Sequence, residues 1–250
     1  MAAVVTALVL ASGVGVADAT PARSQAVTAK DPVIVVNGLF GIGIVYEPLV
    51  ARLRADGYQV WDFELPTLGT QDIRVTARAL NAFADGVRAQ TGAAKVDLIG
   101  HSEGGLVSRA YVKYEGGSTE VDSLITLGTP NNGTAAANII QFFTLGTCVG
   151  ITACEQMTIG STFLSSLNAG DDSIGSVQYT NIATVVDELV QPYTSSFMAA
   201  GDGNITNRTL QSECWARFPG HLGLIVDGAV YSGVQDALAK RAIDFNCFAV

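Results

Sequence analysis

Residues 100–104 have the sequence Gly-His-Ser-Glu-Gly and follow a mostly apolar run over residues 96–99. A serine between two such glycines is typical of a strand that turns sharply into a helix. Glycine is favoured at both positions because a Cβ there would collide with the neighbouring strand or helix. The turn lifts the hydroxyl of Ser102 clear of the sheet and directs the next backbone amides toward it. We therefore interpret Ser102 as a nucleophile.

The motif by itself is weak, because the chain contains 27 glycines and a loop serine could have the same neighbours. The surrounding sequence favours the catalytic interpretation. A β-rich run precedes the motif, and the residues after it repeat at helical spacing. This repeat predicts an apolar helix face that consists of Leu106, Val107, Ala110, Tyr111 and Tyr114. Strand, turn and helix thus occur in the order that a nucleophile turn requires.

A serine hydroxyl needs an adjacent base near neutral pH, and the chain contains two histidines. His101 lies inside the turn, where its side chain should point away from the Ser102 hydroxyl, so we expect it to serve in packing or hydrogen bonding. His221 lies in a Gly-containing loop before the last predicted helix. By elimination, we assign His221 as the base.

The base requires a carboxylate that holds its tautomer and stabilises its charged form. Asp187 directly follows an apolar strand pattern over residues 182–186. It also lies between the serine and the histidine in the chain, the order that accompanies this type of turn. We therefore assign Asp187 as the acid. The other candidates are disfavoured because they point elsewhere, begin a helix or lie in a polar turn: Glu188, Asp227, Asp171 and Asp172.

Two backbone N–H groups should stabilise the oxyanion of a tetrahedral intermediate. One is the amide of Glu103, the residue after the nucleophile. The other should come from the loop after the first predicted strand, residues 37–41, with the amide of Leu39 as the expected donor.

Strand and helix patterns alternate from residue 32 onward, and the continuously apolar strands are typical of a parallel sheet that is buried on both faces. This alternation predicts a three-layer α/β fold with right-handed crossovers. The predicted strands cover residues 32–36, 59–65, 96–99, 121–127 and 178–186, and the predicted helices cover 46–56, the segment between Asp72 and Gly92, the segment after Ser102, and 228–242.

Residues 134–175 interrupt the alternation, and we expect them to form a small apolar cap-like insertion. The segment follows a strand that ends on the side of the sheet where Ser102 should emerge. Its apolar run over residues 139–143 should therefore pack partly on the core and partly around an acyl pocket.

With 250 residues, of which 48% are hydrophobic, the chain is long enough to form one domain with a large core. It carries 14 basic and 23 acidic residues, a formal net charge of −9, and no cluster of Lys or Arg. We therefore expect neither nucleic acid nor an anionic membrane surface as its main partner, since both select for clustered positive charge.

Residues 1–19 are similar to a secretory signal peptide, because an apolar stretch over residues 4–16 is followed by Ala17-Asp18-Ala19. The stretch is too short to span a bilayer comfortably. It departs from the usual signal in having no Lys or Arg before it. We expect a secreted protein with a catalytic domain over residues 20–250.

Four cysteines in an exported chain predict two disulfides, for which three pairings are possible. Cys148 and Cys154 lie six residues apart in a Gly-containing loop, which favours that pair and leaves Cys214 for Cys247. We expect no metal site, because the cysteines show neither C-x-x-C spacing nor a nearby histidine.

These features together resemble the α/β-hydrolase superfamily, and more narrowly the secreted lipases of actinobacteria and lipases of the Candida antarctica lipase B type. In the latter the catalytic acid lies in an Asp-Glu-x-Val-Gln-Pro run, which residues 187–192 match. A cysteine before their catalytic histidine bonds to a later cysteine, which supports the pair Cys214–Cys247. The resemblance covers roughly residues 32–247. The chain departs from it at Glu103, where a neutral residue is usual, and at Asn37, where many bacterial lipases have histidine.

The resemblance implies a serine lipase or esterase that forms an acyl-enzyme on Ser102 without a metal or organic cofactor. It implies triacylglycerols or other long-chain acyl esters as substrates. We expect a monomer that meets its substrate in solution or at a lipid–water interface and does not insert stably into a membrane. Alternatives are a short-chain esterase, a polyester hydrolase, an acyltransferase, or a non-catalytic binding protein on the same scaffold.

Overall fold

A six-stranded parallel β-sheet lies at the centre of this computed structural model, which describes residues 1–4, 30–199 and 204–250. Adjacent strands are all parallel, in the spatial order β2-β1-β3-β4-β5-β6. The parallel α/β architecture predicted from the sequence is confirmed. In chain order the strands are β1 Val33–Val36, β2 Val60–Phe63, β3 Val96–His101, β4 Val121–Leu127, β5 Gln178–Ala183 and β6 Asn204–Thr209.

The helices of the described residues cover both faces of this sheet. Apolar side chains of α1 and α7 share one core cluster, and those of α2 and α3 belong to the other. The helices are α1 Gly43–Ala55, α2 Ile73–Thr91, α3 Glu103–Tyr114, α4 Ala136–Phe142, α5 Thr152–Gln156, α6 Thr162–Leu167 and α7 Gly228–Leu238.

The central strands send alternate side chains into the two core clusters. In β1, Ile34 and Val36 pack into the cluster of α2 and α3, whereas Val33 and Val35 pack into the cluster of α1 and α7. All four side chains are buried. This burial on both faces explains why the strand is apolar at every position rather than at every second one.

Single residues determine where α2 begins and ends. The Asp72 side chain accepts a hydrogen bond from the backbone N–H of Arg74 at 2.8 Å, which caps the helix start. Gly92 follows the helix with φ 72°, a left-handed conformation that glycine adopts without steric cost. Both ends agree with the sequence prediction.

The prediction that the fifth strand extends to residue 186 is wrong, because β5 ends at Ala183. Two hydrogen bonds hold the turn by which the chain leaves the sheet after Ala183. The N–H of Val185 donates to the side chain of Gln211, and the N–H of Asp187 donates to the carbonyl of Thr184. This turn places Asp187 just beyond the carboxyl end of the strand.

The sequence analysis does not predict β6, which pairs with β5 at the edge of the sheet. Its sequence, Asn-Ile-Thr-Asn-Arg-Thr, has no apolar run and is exposed or half-buried throughout. Side-chain bonds replace burial here, since Asn181 donates to the Asn207 amide oxygen and Asn207 donates to the Met198 carbonyl, both at 2.9 Å. A strand held in this way gives no hydrophobic signal.

α3 is more deeply buried than its predicted single apolar face suggests. Residues 103–112 are buried on every side of the helix, because α2 and α6 pack against it in addition to the sheet. Tyr114, which the sequence places on the apolar face, is instead 42% exposed.

The predicted insertion, residues 134–175, contains α4, α5 and α6. A disulfide between Cys148 and Cys154 closes the loop between α4 and α5. Arg109 of α3 anchors the end of the insertion through a buried ion pair with Asp172 at 3.3 Å. The second disulfide joins Cys214 to Cys247 and ties the segment before His221 to the C-terminal residues.

Two features bear on export and membranes. The leader predicted over residues 1–19 lies, from residue 5 onward, outside the described residues. In the described ranges, no helix combines the length and the apolar character needed to cross a bilayer.

α3 packs so closely against β3 and the end of β1 that the two glycines of the motif are required. A Cβ on Gly100 would lie 2.6 Å from the backbone nitrogen of Gly105. A Cβ on Gly104 would overlap the carbonyl oxygens of Val36 and Asn37. These neighbours are backbone atoms, so a larger residue would force the strand and the helix apart.

We expect Gly104→Ala to lower the free energy of unfolding by about 2–3 kcal/mol, because the added methyl group overpacks this crossing. Gly86→Ala is the matched control: Gly86 lies inside α2, and a Cβ there would meet no atom within 4 Å. This control should raise the free energy of unfolding by about 0.5–1 kcal/mol. Urea unfolding measures both, and equal effects of the two variants would contradict the account.

Candidate active site

The carboxyl ends of the parallel strands bring the predicted functional residues to one edge of the sheet. Leu39 follows β1, Ser102 follows β3 and Asp187 follows β5. His221 comes from the loop before α7. Four segments that are far apart in the sequence therefore meet at one edge.

Ser102 has a strained backbone conformation at the turn from β3 into α3. Its φ of 55° and ψ of −125° are rare for a residue with a side chain and cost about 1–3 kcal/mol. Two hydrogen bonds hold the turn: the Ser102 N–H donates to the Leu127 carbonyl at 3.0 Å, and the Thr129 hydroxyl donates to the Ser102 carbonyl at 2.9 Å. The surrounding structure therefore offsets the strain and fixes the direction of the serine side chain.

His221 and Asp187 form a buried pair. Nδ1 of His221 lies 3.1 Å from Oδ1 and 3.0 Å from Oδ2 of Asp187. The carboxylate also accepts the backbone N–H groups of Leu189 and Val190 at 2.9 and 2.7 Å. Since the carboxylate can only accept, Nδ1 donates to it, and in the neutral form of the ring Nε2 then has a free lone pair. This is the protonation state that a general base requires.

The rest of the Asp-Glu-x-Val-Gln-Pro run positions this pair. The Glu188 carboxylate accepts the backbone N–H of His221 at 2.8 Å, so neighbouring acids hold the histidine at its side chain and at its backbone. Gln191 donates from its side chain to the carbonyl of Asp187. The motif thus acts as one unit around His221.

Ser102 and His221 line the same cavity, which has a volume of about 560 Å³. The hydroxyl of Ser102 and the Nε2 atom of His221 are both buried, and neither has a hydrogen-bond partner among the described residues. Catalytic hydrogen bonds are commonly loose before substrate binds. Both atoms are therefore available to a reacting group in this cavity.

Two acids that the sequence analysis disfavours have structural partners elsewhere. Asp227 caps the start of α7 and pairs with Arg217 at 2.7 Å. Asp172 is paired with Arg109 in the insertion. Asp171 also has a hydrogen-bonding or electrostatic partner within the described part of the chain.

The amides predicted for the oxyanion lie beside Ser102. Leu39 lines the cavity, and its loop is folded so that the N–H of Gly41 donates to the Gly38 carbonyl at 2.9 Å. Glu103 is the first residue of α3, where backbone N–H groups have no partner within the helix. The two amides are thus placed on opposite sides of the serine in sequence and on the same edge of the sheet.

The side chain of Glu103 is fully buried, and its carboxyl oxygens have no hydrogen-bond partner among the described residues. It lies against Gly69, where an added Cβ would be 2.7 Å from Oε2 of Glu103. Burial raises the pKa of the Glu103 carboxyl well above its usual range. Burial therefore disfavours the charged form, and the Glu103 carboxyl keeps its proton to a higher pH than an exposed glutamate does.

Aromatic side chains from the insertion form one wall of the cavity. Phe142 packs edge-on against the His221 ring at 5.3 Å between centroids, and Phe143 packs against Phe40 at the same distance. Ile139, from the same predicted apolar run, is buried in the core. The expected division of this run between core and pocket therefore agrees with the structure.

The cavity is also lined by residues to which the sequence analysis gave no role there: Val45, Tyr46, Thr144, Glu188 and Leu222. Val45 lies in α1 beside Ile44, which is 79% exposed, and Leu222 is 48% exposed. The apolar segment Ile-Gly-Ile-Val, residues 42–45 at the start of α1, was the sequence signal that could have indicated a binding surface. Contiguous exposed apolar residues often mark such a surface.

A second acidic group lies at the opposite edge of the sheet, where Asp31, Asp97 and Asp122 bring carboxylate oxygens within 4.8 Å of one another. Lys240 donates to Asp122 at 2.5 Å. Burial raises the pKa of Asp97 to about 7. Carboxylates are ligands for hard cations. Here Asp122 is also paired with Lys95, at 3.7 Å, so two lysines offset part of the negative charge of the group.

Comparison with known proteins finds lipases among the relatives of this chain. A family model described as lipase (class 2) matches residues 30–225. A triacylglycerol lipase of Burkholderia plantarii is 31% identical over 219 residues, which cover 80% of this chain and 59% of that protein. A triacylglycerol lipase of Pseudarthrobacter phenanthrenivorans is 30% identical over 183 residues, which cover 69% of this chain and 55% of that protein. The chain spans less than two thirds of the length of these curated relatives.

Solved structures show the same fold at low identity. Aspergillus fumigatus lipase B superposes with a TM-score of 0.72 at 20% identity, over 86% of this chain and 54% of that chain. Bacillus licheniformis lipase BlEst2 in its mature form superposes with a TM-score of 0.62 at 16% identity, over 84% of this chain and 93% of that chain. The α/β-hydrolase fold predicted from the sequence is therefore confirmed.

The buried carboxyl of Glu103 predicts a pH-dependent stability. A carboxyl whose pKa is raised in the folded state stabilises the fold fully below its unfolded pKa of about 4.3, and this contribution is lost as the pH rises toward the folded pKa. Glu103→Gln removes the titration and keeps the shape. We expect the variant to match the wild type near pH 4. As the pH rises from there toward the folded pKa, its free energy of unfolding should increasingly exceed that of the wild type, by at most about 1.4 kcal/mol per pH unit.

Denaturant unfolding at pH 4, 6 and 8 measures this difference. Glu155→Gln is the control, because Glu155 is exposed on α5 and its replacement should change stability little at any of these pH values. A Glu103→Gln effect that does not vary with pH would show that the carboxyl is not held neutral by burial.

Proposed function

The chain belongs to the class 2 lipase family, and from this premise we propose that it hydrolyses carboxylic esters through an acyl-enzyme on Ser102. The observation that carries the proposal is the Asp187–His221 pair, which binds Nδ1 of His221 and leaves Nε2 without a partner among the described residues. His221 and Ser102 line the same cavity. Ser102 acts as the nucleophile, His221 as the base and Asp187 as the group that orients and stabilises it.

The proposed reaction proceeds in two stages. His221 Nε2 takes the proton of Ser102 as the serine oxygen attacks the ester carbonyl, and the amides of Leu39 and Glu103 stabilise the resulting oxyanion. The protonated His221 then gives its proton to the departing alcohol, which leaves the acyl group on Ser102. A water molecule, activated by the same histidine, releases the carboxylic acid.

The substrates that we propose are triacylglycerols or other long-chain acyl esters. The cavity supports this choice, because Phe142, Phe143 and Leu39 give it an apolar wall that suits an acyl chain. The named relatives are triacylglycerol lipases. A short-chain esterase or polyester hydrolase would use the same three side chains, so the acyl preference has to be measured.

We also propose that the protein acts outside the cell as a monomer after removal of its leader. Two disulfides, Cys148–Cys154 and Cys214–Cys247, support an oxidising compartment. N-terminal sequencing of exported protein should find a start near Thr20, and light scattering should give the mass of a single chain.

We expect Ser102→Ala to abolish ester hydrolysis and Asp187→Asn to lower kcat by about four orders of magnitude, because the histidine would lose its tautomer. Asp227→Asn is the control, since this acid lies at a helix start and should leave kcat unchanged. Initial rates on a soluble ester measure all three. Turnover that survives in folded Ser102→Ala protein would contradict the assignment of the nucleophile.

The substrate class is tested with esters of increasing acyl length, from acetyl to palmitoyl, below and above their solubility limits. Because the cavity is large and apolar, we expect rates to persist with long chains and with dispersed substrate. Collapse of activity beyond butyryl esters would favour a short-chain esterase. Appearance of a new ester in the presence of an added alcohol would indicate acyl transfer.

A further inference from the structure

His101 is a buried histidine beside the nucleophile that the proposed reaction does not use. Its side chain lies between Tyr46 of α1 and the backbone of His221. Nδ1 of His101 is 3.0 Å from the Tyr46 hydroxyl, and Nε2 is 3.1 Å from the carbonyl oxygen of His221. Tyr46 in turn accepts the backbone N–H of Gly38 at 2.7 Å.

The direction of each hydrogen bond follows from the chemistry of the groups. The His221 carbonyl can only accept, so Nε2 of His101 carries the proton. Burial, together with the nearby His221, lowers the pKa of His101 to about 3, so the ring is neutral and Nδ1 is an acceptor. The Tyr46 hydroxyl therefore donates to Nδ1 while its oxygen accepts from Gly38. Every donor in this chain of bonds therefore faces an acceptor.

This chain of bonds joins three separate parts of the proposed machinery. Gly38 directly precedes the oxyanion donor Leu39, and His101 directly precedes Ser102. The far end of the chain holds the backbone of His221 itself. The packing is tight as well, because a Cβ on Gly38 would lie 3.0 Å from the Cβ of Ser102 and 3.3 Å from Nδ1 of His101.

We propose that Tyr46 and His101 are positioning residues that hold the oxyanion loop and the His221 loop in register with Ser102. The inference rests on the proposed function and adds two residues to it. Neither side chain takes a proton from the substrate or touches the reacting atoms. They act through the backbone of Gly38 at one end and of His221 at the other.

A positioning role differs from a structural role in what it does to kinetics. Displacement of an oxyanion donor or of the base raises the barrier of the chemical step, and a shift of about 1 Å costs on the order of 100-fold in rate. Substrate affinity depends mainly on the apolar walls of the cavity. Loss of the chain should therefore lower kcat and leave KM nearly unchanged.

The first test is Tyr46→Phe, which deletes one oxygen atom and retains the ring. We expect kcat to fall about 10- to 100-fold, with KM within about twofold of the wild type. Tyr179→Phe is the matched control, because Tyr179 is also buried, its hydroxyl also bonds backbone groups, those of Ile174, and it does not line the cavity. This control should lose similar stability and keep its kcat.

The second test compares His101→Gln with His101→Leu. The terminal amide of glutamine can reach the Nε2 position and still donate to the His221 carbonyl, whereas leucine cannot. We expect His101→Gln to retain more of kcat than His101→Leu at equal folded fraction, as judged by circular dichroism. In the double variant Tyr46→Phe/His101→Leu, the two losses should be less than multiplicative, because both residues belong to one chain of bonds.

Ser102→Ala, measured beside these variants, separates the two proposals. If Ser102→Ala is active, the proposed function fails. If Ser102→Ala is inactive but Tyr46→Phe and His101→Leu keep kcat within about twofold of the wild type, the positioning role fails alone. Losses that appear only in stability, as in Tyr179→Phe, would likewise overturn it.

Discussion

The site depends on one constraint, the sharp turn of the chain at Ser102 between β3 and α3. The serine has a φ of 55° that glycine would adopt more readily, and the neighbouring glycines allow the strand and helix to touch. This conformation points the hydroxyl out of the sheet and leaves the amide of Glu103 at the start of a helix. The backbone strain of the turn is offset by hydrogen bonds to Leu127 of β4 and from Thr129, which follows β4. The strained conformation persists because the packing and hydrogen bonds around Ser102 fix its backbone.

The remaining parts of the site are arranged around that turn by backbone hydrogen bonds rather than by contacts between side chains alone. Asp187 is held by the amides of its own loop, and His221 is held by Asp187 at the ring and by Glu188 at the backbone. Such restraints would keep His221, the proposed base, in a usable orientation before substrate arrives, which favours the chemical step. The cavity wall, by contrast, comes from apolar side chains of the insertion and of α1.

Much of the fold could be predicted because its strongest signals are local. The apolar strand β1 and the caps of α2 follow directly from residue types. The polar edge strand β6 and the early end of β5 could not be predicted, since both depend on side-chain bonds between segments distant in sequence. In the site, Ser102 and the Asp187 run have sequence signatures. The roles proposed for Tyr46 and His101, and the raised pKa of Glu103, depend on burial and on contacts across the fold, which one sequence does not contain.

The central claim is that Ser102, His221 and the amides of Leu39 and Glu103 converge on one reacting centre. A crystal structure of the protein inactivated by an alkyl p-nitrophenyl phosphonate tests this directly, because the phosphonate imitates the tetrahedral intermediate. The account predicts phosphorus bonded to the Ser102 oxygen, the phosphoryl oxygen about 3 Å from both amides, and His221 Nε2 within hydrogen-bonding distance of the adduct. An adduct on another residue, or a phosphoryl oxygen directed away from Leu39 and Glu103, would contradict it.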